Sequence, residues 1–172
     1  MKKENQINTF LKCDPIKGGS LDEAHKEWIG VLYFSHGVSQ PTQGVSGRGG
    51  HRSGRAQFAP FKIKKYVDNS SVDLNMFCTN GTHLAKVEIE VCKILKSENI
   101  CYLKYELDNV MIQSVSIEVV DSDSDSDIDL LIETVEFVYS AISWAYTPVE
   151  KEGELGATIG PKKWNLENNR VE

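Results

Sequence analysis

No stretch of this 172-residue sequence approaches the roughly 18 consecutive apolar residues of a transmembrane helix, so insertion in a membrane as a helical span is not expected. Cysteine is scarce. Cys13, Cys78, Cys92 and Cys101 form no CxxC pair and no dense framework, so they read as buried free thiols of a reducing cytoplasm. Cationic excess is absent too. The net charge is −6, and five of the 25 acids, Asp121, Asp123, Asp125, Asp127 and Asp129, sit in one short stretch; without them the chain is nearly neutral. A near-neutral body argues against a dedicated nucleic-acid binder. The start, "MKKENQINTF", is basic but has no apolar run behind it, so a cleaved signal peptide is not expected.

What is present is a sequence of ordinary globular make-up, 40% hydrophobic and 26% charged, long enough to bury a core as one domain over residues 1–172. Strand signals dominate. "AKVEIEV" alternates, with Ala85, Val87, Ile89 and Val91 on one face. "LKYELD" places Leu103, Tyr105 and Leu107 together, and "VSIEV" does so with Val115, Ile117 and Val119. In "VEFVYSAISWAYTP" the apolar parity switches from Val135, Phe137 and Tyr139 to Ile142, Trp144 and Tyr146, which predicts a bulge or sharp bend near Ala141. "WIGVLYFSHGV" is apolar on both parities and reads as a strand covered on both faces. One helix of about ten residues is expected at about 70–80, from Ser70 and Asp73 at capping-box spacing to Gly81 as a stop. The sum is a mainly β domain of roughly eight to ten short strands, a two-sheet barrel or sandwich with one short α-helix. Outside it lie a long extended hairpin loop at about 40–55, the Asp/Ser run, and a loop-rich C-terminus that Trp164 and Leu166 anchor.

No catalytic constellation emerges. "GGHRSGRA" falls short of the phosphate-binding G-x-x-x-x-G-K-S/T, with Arg55 for the lysine and Ala56 for the hydroxyl, and extended "QFAPFKI" follows where a helix is needed. The three arginines of the loop lack the interleaved aromatics of a nucleic-acid arm. His25, His36, His51 and His83 show no metal-site spacing, so no metal or other cofactor is expected. "DSDSDSDID" begins like a calcium loop, but Ser126 stands at its sixth position and Ile132 at its twelfth, so it reads as a solvated acidic loop.

Taken in order, "DPIKGGSLDEAHKEWIGVLYFSHGVSQP" (14–41), "SGRAQFAPFKIKKYVDNSS" (53–71), "CTNGTHLAKVEIEVCK" (78–93), "YLKYELDNVMIQSVS" (102–116), "ETVEFVYSAISWAYTP" (133–148) and "KKWNLENN" (162–169) resemble the haemolysin-coregulated protein (Hcp) family, the tube protein of bacterial type VI secretion. The resemblance implies a small two-sheet β fold with one helix and no enzyme activity. It implies a homo-hexameric ring with an open channel. Rings stack into a tube inside a contractile sheath, capped by a spike protein, and the lumen carries effector proteins. Such a protein is cytoplasmic before firing and then secreted without a cleaved leader; this chain ends too soon for a fused C-terminal toxin. The hairpin loop then reaches the neighbouring ring, with Gln40, Gly44, Arg48, His51, Arg52 and Arg55 as its stacking residues. The start is longer than usual for the family, and the Asp/Ser run replaces a shorter turn. On the residues alone, a β-domain hydrolase with a Cys-His or metal site and a monomeric binding module stay open as alternatives.

Overall fold

The computed structural model describes residues 7–43, 51–52, 54–95, 98–120, 130–150 and 154–172. The chain runs β1 (Ile7–Lys12), β2 (Ile29–Val31), β3 (Tyr33–Ser35), β4 (Val38–Ser39), β5 (Thr42–Gln43), β6 (His51–Arg52), β7 (Gln57–Phe58), β8 (Phe61–Tyr66), α1 (Ser71–Asn80), β9 (His83–Leu95), β10 (Glu98–Val120), β11 (Leu130–Val138), β12 (Ala141–Tyr146), β13 (Ile159–Asn165) and β14 (Arg170–Val171). All pairings are antiparallel. The mainly β expectation with one short helix holds. Of the two architectures expected, the sandwich fits: the strands do not close into a barrel.

Strand β10 organises the sheet. "LKYELD" and "VSIEV", expected as separate strands, are two halves of this one 23-residue strand. Along one side it pairs with β9; along the other it pairs first with β12 and then with β11. The predicted break falls where the parity switch placed it. β11 ends at Val138, β12 begins at Ala141, and Ser140 N–H bonds the Asp108 carbonyl between them. Phe137 and Ile142 therefore both point into the core despite their opposite parity.

Several local expectations are corrected. Ala85 is exposed, and Leu84 takes the buried place. Asn109, at φ 48°, lies opposite Ala85 between the pairs Asp108–Lys86 and Val110–Leu84; the register is unbroken, but the buried positions step from Leu107 to Val110 and from Val87 to Leu84, so both strands change parity together. The segment 29–35 is not one strand covered on both faces. It bends at Leu32, pairs as β2 with β1 and as β3 with β8, and leaves Leu32 and Tyr33 half exposed. The capping box does not form, because Ser70 turns its amide and hydroxyl to Asp68; Gly81 at φ 67° does end the helix. The C-terminus is strand more than loop, since β13 pairs with β12 and β14 with β13. Trp164 and Leu166 are half-buried there, and Leu166 packs on the core. The Asp/Ser run at 121–129 lies outside the described residues.

The core fills the fold between the layers with Leu11, Ile29, Phe61, Ile63, Val87, Ile89, Leu107, Val135 and Phe137, all essentially inaccessible. The helix lies on the β10 side of this core through Leu74. Beneath it two charges are sealed in. Lys65 and Glu133 occupy inward positions in the alternations Phe61-Ile63-Lys65 and Glu133-Val135-Phe137, cross-strand partners in the β8–β11 ladder. Lys65 Nζ donates to Glu133 Oε2 (2.9 Å) and Ser71 Oγ (3.2 Å), and it lies 2.8 Å from Asp68 Oδ1. Ser71 and Asn75 of the helix donate to the two Glu133 oxygens. The network uses the donors of the ammonium and both oxygens of the carboxylate, which is the condition for burying charge at tolerable cost.

Candidate functional site

Two parts of the surface depart from a satisfied globular exterior. The first is the hairpin between β3 and β8. β4 pairs with β7 through Val38–Phe58 and Ser39–Gln57, and β5 pairs with β6 through Thr42–Arg52 and Gln43–His51. These short ladders pair 38–43 with 51–58 as a two-stranded hairpin, in the place expected for the loop at 40–55; residues 44–50 and 53 lie outside the described residues. Its root is fixed by aromatic packing. The His36 ring stacks on Phe61 and Phe58 and meets Tyr105 and Tyr139 edge-on, with centroids 5.8–6.4 Å away. The Tyr139 hydroxyl donates to the Ala59 carbonyl (3.2 Å) and lies 3.3 Å from His36 Nδ1. Burial pushes the His36 imidazole down and the Tyr139 hydroxyl up from their ordinary ranges, so both favour their neutral forms. Beside this root, Val38, Gln40, Phe58, Trp144 and Trp164 line a groove of about 440 Å³.

Of the residues read from sequence as stacking contacts, Gln40 is exposed and donates from Nε2 to the Gly54 carbonyl (3.1 Å), bracing the two arms of the hairpin. Arg55 is exposed next to it. His51 and Arg52 are in β6, opposite β5. Gly44 and Arg48 lie outside the described residues. The hairpin thus carries four of the six, Gln40 on its outgoing side and His51, Arg52 and Arg55 on its return.

The second part is the far end of β10 and β11. Ile117 faces Glu133 in the ladder and Val119 faces Leu131, so Ile117, Val119 and Leu131 share the inner face that buries Glu133 and Val135. Yet they are 50%, 64% and 43% exposed. The inner face continues past the edge of the core, and among the described residues nothing covers it.

A third cluster was not legible in the sequence. The segment 14–28 folds over the outer face of β1 and β9. Gly18 permits this: a Cβ there would lie 2.3 Å from the Trp28 carbonyl oxygen. The fold-over seats His25 flat on Phe10, centroids 4.1 Å apart, with Trp28 edge-on. Phe10 pairs with Glu90, and the next outward position of β9 is Cys92, paired with Cys101. His25 is 2% exposed; its Nδ1 lies 2.7 Å from Asp22 Oδ1, its Nε2 2.9 Å from Glu90 Oε2 and 3.7 Å from Cys101 Sγ. Burial would raise the Glu90 carboxyl, but hydrogen bonds from Lys104 and His25 outweigh it and hold the group below the usual carboxylate range. The Asp22 carboxyl is likewise held low, chiefly by its bond to His25. The expectation of four free thiols is corrected here. Cys92 and Cys101 form a disulfide, while Cys13 and Cys78 are free. The pairing follows from strand register, which cysteine spacing does not reveal. The same bond occupies the sulfur that a Cys-His nucleophile would need.

The comparisons with known proteins agree with this architecture. A family model described as "Type VI secretion system effector, Hcp" matches residues 10–146. Protein hcp1 of Pseudomonas aeruginosa is 30% identical over 165 residues, covering 95% of this chain and 97% of that protein. A solved structure described as that of a type six secretion system protein superposes with a TM-score of 0.88 at 29% identity, covering 97% of this chain and all of the other. Hcp1 from Salmonella typhimurium superposes with a TM-score of 0.74 at 25% identity, covering 96% and 99%. The chain belongs to the Hcp family, the secreted structural tube proteins of type VI secretion systems, which are not enzymes.

Proposed function

We infer that this chain closes into a six-membered ring, that the rings stack head to tail into the type VI tube, and that the channel shelters effectors while sheath and spike drive the tube out. The observation that carries this reading is the bare apolar row Ile117, Val119 and Leu131. Each residue still has about half its side chain to bury, so covering one contributes about 1 kcal/mol. The row sits on a rigid two-stranded ladder, which suits repeated docking of identical copies.

The hairpin 38–58 is assigned to the contact between rings, with Gln40, Gly44, Arg48, His51, Arg52 and Arg55 facing the next ring. Val38, beyond the aromatic root, is 55% exposed, so the arm contributes little to the isolated fold. Five glycines between residues 44 and 54 make it costly to order. Its arginines suit acidic partners. A single exposed pair is worth at most about 1 kcal/mol, but six acting together sum to several.

Shortening Gly44–Gly54 to a tight turn tests the assignment. The ring persists and tube growth is lost, as read by light scattering and electron microscopy beside the parent. A variant that falls to monomers would move the hairpin into the ring interface, and one that stacks normally would remove it from stacking altogether.

A further inference from the structure

We propose that the reduced form of this protein binds a soft divalent cation, Zn²⁺, through His25 Nε2, Glu90 Oε2, Cys92 Sγ and Cys101 Sγ. The inference stands on the cluster's own geometry and is independent of ring formation. One ligand atom from each of the four residues lies within 4.8 Å of the others. Zinc bonds of about 2.3 Å to sulfur and about 2.0 Å to nitrogen or oxygen set the ligand atoms of a tetrahedral site roughly 3.3–3.8 Å apart. The observed separations, 2.9 Å from His25 Nε2 to Glu90 Oε2 and 3.7 Å to Cys101 Sγ, already approach those edges. The two sulfurs must move apart, which breaking their bond allows, and the His25–Glu90 separation must open by a few tenths of an ångström.

The surroundings have the form of a ligand support. Asp22 Oδ1 accepts a hydrogen bond from His25 Nδ1–H at 2.7 Å, which turns Nε2 toward Glu90 and the sulfurs; the proton that Nε2 shares with Glu90 leaves when a metal binds. Asp22 is itself held by the His25 backbone N–H (3.0 Å) and by Asn99 Nδ2 (3.2 Å). Phe10 and Trp28 fix the plane of the ring. Lys104 bonds Glu90 Oε1, so Oε2 is the oxygen left for a cation, and the ammonium balances the negative charge of a two-thiolate, one-carboxylate site. Thiolate and imidazole together select zinc over calcium or magnesium, which take oxygen ligands.

The chemistry balances in two steps. A thiol reductant passes two electrons and two protons to the Cys92–Cys101 bond; the bond breaks, two thiols form, and the reductant leaves as its own disulfide. Zinc then displaces to solvent the two thiol protons and the proton between His25 Nε2 and Glu90, and gains two Zn–S bonds, one Zn–N bond and one Zn–O bond. The oxidised pair offers no thiolate and holds no metal, so the site is present in a reducing compartment and lost in an oxidising one.

The test uses the full chain, reduced and then freed of reductant under anaerobic conditions. Co²⁺ serves as the spectroscopic probe, and Zn²⁺ is titrated against a chromophoric chelator. The expected result is one metal per chain, a four-coordinate cobalt spectrum with a thiolate charge-transfer band, and displacement of Co²⁺ by Zn²⁺. The oxidised parent, identical in sequence, shows none of these, and neither does the C92S/C101S variant. A variant with Cys13 and Cys78 changed to Ser keeps the band. D22N weakens affinity by about ten- to a hundredfold with the band intact. The proposal is overturned if the reduced parent binds no stoichiometric metal, if the oxidised parent binds equally, or if the cobalt spectrum is octahedral without the thiolate band.

Discussion

Replacing Lys65 by Met leaves the Glu133 carboxylate sealed under the helix with only Ser71 and Asn75, both neutral, to answer it. Both members of the pair are fully inaccessible, so water cannot take the place of the lost ammonium. Stranding one member of a buried pair costs about 3–5 kcal/mol. Glu133→Leu is milder, because Lys65 keeps Asp68 at 2.8 Å; the loss is one hydrogen bond between charged groups, about 1.5–3 kcal/mol. The double variant K65M/E133L fills the same space with apolar groups, and replacement of both partners is often close to neutral. Asp68, Ser71 and Asn75 each lose a partner, so a residual cost of about 1–2 kcal/mol is expected. The double variant is therefore more stable than Lys65→Met alone, with a coupling energy of at least about 2 kcal/mol. Reversible urea unfolding at one fixed protein concentration reads it, with circular dichroism confirming that α1 persists in each variant. If the two single costs simply add, the pair is not coupled, and the network as described is wrong.

The remaining predictions test other parts of the structure. G18A forces a methyl group against the Trp28 carbonyl, so it costs about 1–3 kcal/mol in thermal unfolding and loosens the segment that seats His25; an unchanged melting temperature would contradict the close approach. Asp22, Asp68 and Glu90 have folded pKa values below their unfolded ones, so their stabilisation is complete at neutral pH and is lost as pH falls below about 4 and through those lowered values. For Asp68 the lowering comes despite burial, through Lys65 and Ser70. Stability measured between neutrality and the acid limb is expected to fall more steeply for the parent than for D68N. Changing Asp121, Asp123, Asp125 and Asp127 to Ser leaves folding and assembly within about 0.5 kcal/mol of the parent, and a calcium-dependent melting temperature in the parent alone would refute the solvated-loop reading. Salt is expected to weaken stacking while sparing the ring, as read by sedimentation across an ionic-strength series.

What the sequence disclosed followed from period and parity. The alternations of β9 and β11, the break before Ala141 and the αL stop at Gly81 are local signals, and local signals survive folding. The exceptions are equally physical. Ala85 was assigned inward because the change of parity at this point accompanies a left-handed residue, Asn109, on the partner strand opposite it. Leu32 and Tyr33 read as covered because apolar character on both parities does not say whether the second cover belongs to the same chain. Lys65 and Glu133 did leave a trace, since each is a charge in the inward register of an apolar alternation. The His25 cluster left none: its members come from a loop and two strands, with His25 and Glu90 separated by 65 positions, and only strand register brings them together. The hairpin was legible as an arm from its glycines and flanking strands, whereas its partner is a property of the assembly.

The central claim is that this chain is a ring-forming tube subunit. The mass of the full-length protein in solution, measured by light scattering at micromolar concentration and moderate salt with electron microscopy of the same sample, tests it most directly. The account predicts a hexamer seen as rings with an open channel; a clean monomer would contradict it.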